Sequence, residues 1–225
     1  MLNKLVALRL SGVMQSWGYN SEYTYRNSGL FPTKSAVIGL CCAAKGINRG
    51  SQEERAFLKT ITDSPMTAIA LPRIRTVSEK SWPIDVRRIE DFHTVENTKT
   101  AAGKKNKNAV MTYRQYLCDA DFLVLLEVGE SVAVDLENNL SDPTWGVWLG
   151  RKSCVPSAPV FAGIYSSLEE VSAILLSGKS IDCFTYQKEV PTFEQGTDTI
   201  MDKPICYAID KREMGQRRVK IFEAR

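Results

Sequence analysis

The residues best equipped for chemistry stand near the middle of the chain. His93, the single histidine, lies in Asp91-Phe-His-Thr-Val95. It precedes a stretch from Asn97 to Cys118 that holds Lys99, Lys104, Lys105, Lys107 and Arg114 and no acid. An imidazole at this place can take the proton of a ribose 2′-hydroxyl, with Lys104 or Lys105 neutralising the phosphorane and Tyr113 serving as acid or positioning group. That set is sufficient for metal-independent cleavage of RNA. The bland alternative is a solvated basic loop beside a hydrogen-bonded structural histidine.

Three other segments carry binding chemistry. In Ser11-Gly-Val-Met-Gln-Ser-Trp-Gly18, Gly12 and Gly18 permit close backbone approach, and Trp17 either stacks on a base or folds back onto the core. Pro32-Thr-Lys-Ser35 opens a helix. There free N–H groups, the positive dipole end, two hydroxyls and Lys34 make a phosphate seat, or Thr33 simply caps the helix. Leu149-Gly-Arg-Lys-Ser153 sets two cations and a hydroxyl after a glycine, a pattern suited to an RNA backbone. Gly146 stands one residue too close to Gly150 for a nucleotide phosphate loop.

The elements that must position these residues follow from periodicity and punctuation. Leu2 to Leu10 reads as a buried strand, Ser11 to Pro32 as loop, and Ser35 to Lys45 as an apolar helix ended by Gly46. Ser51 to Thr62 opens with a capping-box pattern. Strands are expected at Met66–Val77, Trp82–Arg88, Asp121–Val128 and Trp145–Leu149, with a helix at Ser131–Leu140. Residues 1–150 therefore read β-α-β-β-α-β, the ferredoxin-like order of an α+β fold, interrupted by a long polar excursion before Asp121. Residues 151–225 read as a smaller, β-rich C-terminal appendage with one helix at Ser167–Leu176.

Composition narrows the function classes. The chain has 225 residues, 44% hydrophobic and 24% charged, with a net charge of +3. The balance conceals segregation: +4 over residues 1–72, +5 over 73–115, −10 over 116–210 and +4 over 211–225. Local fields of one sign govern binding more than the sum does. One histidine and six cysteines without a C-x-x-C pair argue against zinc and for a reduced, cytoplasmic protein without a cofactor. No secretory signal or membrane-spanning run is expected.

In combination, LRLSGVMQSWG, FPTKSAVIGL, DFHTV, YRQYLCDADF and LGRKSC, in that order and at that spacing, resemble the fifth CRISPR-associated family (CasD) of the type I-E Cascade complex. The resemblance covers about residues 3–165. It implies a fold like the RNA-recognition motif (the RAMP superfamily) with a long β-hairpin thumb at about 88–113, tip near Thr98–Asn108, and a small C-terminal sheet. It further implies a non-catalytic, antiviral ribonucleoprotein subunit that holds the 5′ handle of the crRNA and caps the backbone filament. Implied partners are the crRNA, the backbone subunit (CasC), the large subunit (CasA) and, in the assembled complex, target DNA.

Position by position, the resemblance implies a handle-binding loop of Gly12, Met14, Gln15 and Trp17 and phosphate contacts at Thr33, Lys34 and Ser35. The implied thumb contacts are Arg88, His93, Lys104, Lys105, Lys107, Tyr113 and Arg114, and the groove lining is Trp148, Gly150, Arg151, Lys152 and Ser153. Members of a related subtype are guide-processing ribonucleases that use Tyr, Lys and His, so His93, Lys104 and Tyr113 keep an endoribonuclease reading open. The acidic block is expected to face protein neighbours. Incubating the purified chain with labelled repeat RNA in EDTA should leave the RNA intact. A discrete product that His93→Ala abolishes would establish the ribonuclease instead.

Overall fold

Two apolar stretches expected to be buried strands lie side by side, from Asn3 and from Asp121, as the second and third strands of one large sheet. The computed structural model describes residues 3–100 and 102–225. Leu2, where the first strand is expected to begin, and Ala101, inside the expected thumb tip, lie outside the described residues. In chain order the first elements are β1 (Asn3–Ser11), β2 (Met14–Gln15), β3 (Tyr25–Arg26), α1 (Lys34–Ala44), α2 (Gln52–Ile61) and β4 (Met66–Ala70). β5 (Arg73–Val77), β6 (Lys80–Ile84), β7 (Arg87–Val95), β8 (Val110–Cys118), β9 (Asp121–Gly129) and α3 (Glu130–Ser141) follow. The last are β10 (Phe161–Tyr165), α4 (Leu168–Leu175), a 3-10 turn (Ile181–Cys183), β11 (Tyr186–Glu189), β12 (Asp198–Cys206) and β13 (Glu213–Phe222). Among the described residues no helix is long and apolar enough to cross a membrane.

The large sheet runs β10-β1-β9-β4-β11-β13-β12, and every neighbouring pair is antiparallel. Alternation along β1 and β9 sends side chains to two cores. Val6, Leu8, Leu10, Val124 and Leu126 meet Ile38 of α1, Phe57 of α2 and Leu136 of α3. On the opposite face Ala7, Leu123 and Leu125 meet Val171 of α4 with Leu176 and Phe184. Both faces of the sheet are thus covered.

Three expected strands are corrected: Trp82–Arg88 is divided between the end of Lys80–Ile84 and the start of Arg87–Val95, which belong to different sheets. Met66–Val77 is not one strand: the chain leaves the sheet after Ala70, and Arg73–Val77 pairs instead with Lys80–Ile84 in a separate hairpin. Its two-residue turn, Ser78-Glu79, has positive φ at both positions (47° and 69°), the twist that suits a tight hairpin. Trp145–Leu149 is not a strand. Its neighbourhood bonds elsewhere: Trp145 N–H donates to Ala43 O, and Leu149 O accepts from Ser16 N. The strand beside β1 is β10. The segment after residue 150, set apart by its sequence as an appendage, supplies β10 at one end of the sheet and β11, β13 and β12 at the other.

The long excursion is a second, smaller sheet. β7 and β8 pair from Arg87↔Cys118 to Val95↔Val110, so the ribbon extends a few residues beyond the expected 88–113. On the other edge of β8 lie β2, antiparallel at Met14↔Cys118, and β3, parallel at Tyr25↔Tyr113. The loop after β1 is fixed against the late glycine motif at one tight point. Gly150 has φ +91°, and a Cβ there would stand 1.8 Å from Ser16 O. Gly150→Ala should cost at least about 2 kcal/mol through backbone strain alone, read as a thermal midpoint lowered by about 4–8 °C.

Candidate nucleic-acid interface

The β7–β8 ribbon has two unlike faces because successive residues alternate across the pleat. One face carries Arg88, Glu90 and Phe92 opposite Leu117, Gln115 and Tyr113. The other carries Ile89, Asp91 and His93 opposite Tyr116, Arg114 and Thr112. On the first face Tyr25 of β3 stacks on Tyr113, with ring centroids 4.9 Å apart and planes at 11°. Phe92 meets Tyr113 at 5.3 Å and 59°. Tyr25 is 52% exposed and Phe92 49%, so the row of rings presents open aromatic surface. Beyond the ladder, exposed Lys99, Lys104, Lys105 and Lys107 occupy the tip. The tip is held by Asn106 N–H donating to Thr98 O (2.8 Å) and Thr100 N–H to Lys104 O (2.8 Å). Open rings on a ribbon with a cationic tip are the chemistry of single-strand binding: stacking for any base, charge for the backbone.

At the base of the ribbon the same face borders a groove of about 420 Å³. Arg88 and Gln115 of the ribbon, Tyr19 and Asn27 of the segments before and after β3, and Gln187 and Arg217 of the C-terminal strands line it. Gln115 Oε1 accepts from Ser28 N–H (3.3 Å), and Gln187 Oε1 accepts from Arg217 Nη2 (3.4 Å). Arg217 in turn grips Asp202 through Nε (2.5 Å) and Nη2 (2.9 Å).

Several expected contacts are corrected by burial. Trp17 is 0% exposed and belongs to the main core. Its Nε1 donates to Gln15 Oε1 (3.1 Å), and Gln15 Nε2 donates to Leu10 O and Ala120 O at 2.8 and 2.7 Å. These two side chains satisfy each other and the loop, so neither reaches a base. Met14 packs against the same core. At Gly12 a Cβ would stand 2.7 Å from Leu149 Cδ1, so the bare backbone there serves packing. The helix-start phosphate seat is filled from within: Lys34 N–H donates to Asp202 Oδ2 (2.7 Å). Lys34 is 0% exposed, and its Nζ donates to Glu189 Oε2 (2.8 Å). Burial holds this amine below the ordinary lysine range, and Glu189 opposes that fall. Thr33 is buried, and Ser35 is half-buried with its carbonyl accepting from Tyr207 OH.

The late motif divides. Arg151 turns inward, its Nη2 donating to Arg26 O (3.0 Å) while its guanidinium lies 4.9 Å from the Tyr116 ring centroid. Gly150 packs on Ser16, whereas Trp148, Lys152 and Ser153 remain exposed. On the ribbon, Arg88 is exposed and Arg114 half-buried, its Nε donating to Thr112 Oγ1 (3.1 Å). His93 Nε2 lies 2.5 Å from Asp91 Oδ2. His93 stands opposite Thr112, and Tyr113 opposite Phe92, so His93 and Tyr113 leave opposite faces. Lys104 and Lys105 stand at the tip, past the ladder's end at Val95–Val110. The structure therefore does not bring the His-Lys-Tyr set together. Among the described residues there is no group of three or more His, Cys, Asp or Glu placed to hold a metal.

Tyr25, Tyr19, Asn27, Gln187 and Arg217 lie outside the sequence motifs, and Phe92 and Gln115 fall inside DFHTV and YRQYLCDADF without a role assigned to them. The density of Tyr and Asn between Tyr19 and Asn27 is the one signal that marks part of this set. Gln187 and Arg217 join it only through strand pairing far along the chain.

A subunit built on one antiparallel sheet, with a projecting aromatic and cationic ribbon, is the class that this geometry defines. The family model described as CRISPR-associated protein (Cas_Cas5) matches residues 5–220, and the chain belongs to that family. It is 29% identical over 208 residues to the CRISPR system Cascade subunit CasD of Escherichia coli (strain K12), covering 91% of this chain and 90% of that one. A chain of a solved CRISPR RNA-guided surveillance complex superposes with TM-score 0.69 at 22% identity, over 96% of this chain and 88% of that chain. A crystal structure of a Cas protein gives TM-score 0.62 at 24% identity, over 96% and 93%. The family suggested by the sequence landmarks is thus the family found.

Glu189→Ala should leave the buried Lys34 ammonium unpaired and cost about 3–5 kcal/mol in urea unfolding. Combining Lys34→Met with Glu189→Leu should recover most of that loss. A single variant as stable as the parent would show that the pair carries no such burden.

Proposed function

We propose that this chain is a CasD-type subunit of a type I-E Cascade complex that binds the 5′ handle of the crRNA without cleaving it and caps the backbone filament. The carrying observation is the projecting ribbon, on which Tyr25, Tyr113 and Phe92 form an open aromatic row and four lysines occupy the tip. Backbone phosphates pair with the lysines and splayed bases rest on the rings. The ferredoxin-like assignment, with the RNA-recognition-motif and RAMP likeness, is supported by the sheet order. Taking β1, β4, β9 and β10 as first to fourth, the order across the sheet is fourth-first-third-second. The relative's name supports membership of Cascade; the backbone (CasC) and large (CasA) subunits and target DNA, in a cytoplasmic particle, are the neighbours that the family resemblance implies. The opposite orientation of His93 and Tyr113 favours binding over cleavage.

Of the remaining expected contacts, Arg88, Trp148, Lys152 and Ser153 are proposed to touch the RNA, since their side chains are exposed. Lys104→Glu, Lys105→Glu and Lys107→Glu together should weaken single-stranded RNA binding by the full-length chain. The slope of log K against log salt should fall by about 2, near 0.7 for each lost phosphate contact. An unchanged affinity and slope would remove the tip from the interface.

A further inference from the structure

The groove at the base of the ribbon is a built site rather than a gap. Its floor is made by buried Ser28, Thr33, Gln187 and Arg217, and its rim by exposed Asn20, Arg88 and Asp198. The polar groups on the floor are already partly used, and what the two glutamine amides leave over has one character. A guanidinium only donates, so the Gln187 atom facing Arg217 Nη2 is its carbonyl oxygen, which leaves its amide N–H pair uncommitted. Gln115 accepts from a backbone N–H through Oε1, which leaves the same donor end. Arg217 is 4% exposed, and its Nη1 has no hydrogen-bond partner among the described residues. Burial closes this guanidinium beneath the floor, so the donors offered to an occupant are those of the two glutamine amides. Asp198 at the rim adds a carboxylate, and Tyr19 a ring beside the opening.

We infer that this groove seats one unpaired guanine of the bound RNA, an inference that rests on the RNA-binding reading above. Guanine offers two acceptors, O6 and N7, to the Gln187 and Gln115 amide donors. Its N1–H and N2 amino group are donors suited to the Asp198 carboxylate. Adenine would turn its N6 amino group toward those same donors. The volume lies within the range of small-ligand pockets, about 300–1,000 Å³. The open ring row along the ribbon accepts any base, so selectivity resides in the groove and general affinity in the ribbon and tip.

The test is fluorescence anisotropy of the full-length chain with single-stranded oligoadenosines of about eight nucleotides, carrying one central guanosine, uridine, cytidine or adenosine. The guanosine probe should bind about tenfold more tightly than the adenosine probe. Asp198→Asn, at an exposed position, and Gln187→Leu should each reduce that ratio to below about threefold while the salt slope stays unchanged. Retained thermal midpoints establish that both variants fold. Equal binding of all four probes with a normal salt slope, or a preference for uridine or cytidine, would overturn the guanine seat and leave the RNA-binding reading standing. Absent or salt-independent binding of every probe would overturn that reading itself, and the seat with it.

Discussion

One carboxylate, Asp202, joins parts of the molecule that lie far apart in sequence. It sits on β12, accepts the first N–H of α1 from Lys34, and holds the Arg217 guanidinium of β13 through two hydrogen bonds. Beside it Lys34 reaches Glu189 on β11. Two opposite charge pairs are thereby desolvated around one helix start. Such pairs are costly to break because each partner would be left charged and dry. The arrangement fixes the C-terminal strands against the N-terminal helix and shapes the floor of the groove. It also supplies the helix start with an anion from within.

Covering both faces of the large sheet has a second consequence. With helices on one side and α4 and the 181–186 segment on the other, neither face offers open rings. Rings in mutual contact with open surface stand on the ribbon, where β3 adds Tyr25 beside Tyr113 and Phe92. The charge segregation follows the same division. Most of the ribbon and all of its tip lie in the basic stretch 73–115, and some of the acid in 116–210 is paired within the chain, as Asp121 on Arg9, Asp135 on Lys45, Glu189 on Lys34 and Asp202 on Arg217. Near-neutrality is cancellation between regions.

What was legible in the sequence is what depends on local pattern. β1, β9, α1, α2 and α3 follow from alternation and helical periodicity, and Ser51 does accept from Glu54 N–H as the capping pattern implies, whereas Glu54 Oε2 accepts from Gly50 N–H, one residue before the cap. Trp17 and Lys34 misled because their environments are set by distant residues. A tryptophan in a polar loop is buried only if something like Gln15 takes its N–H, and a lysine is buried only if Glu189 arrives. Met66–Val77 was apolar enough for one strand, but Leu71-Pro72 turned the chain out of the sheet. The β11–β13 extension depends on long-range pairing that short, mixed strands do not announce.

The claim on which the account turns is that the RNA lies along the ribbon and into the groove. Ultraviolet cross-linking of the chain to bound single-stranded RNA, followed by mass spectrometry of the cross-linked peptides, tests it most directly. Cross-links should fall at Tyr25, Phe92 and Tyr113, with a further set at Tyr19. Cross-links confined to α2, α3 or α4, with none between Arg87 and Cys118, would contradict it.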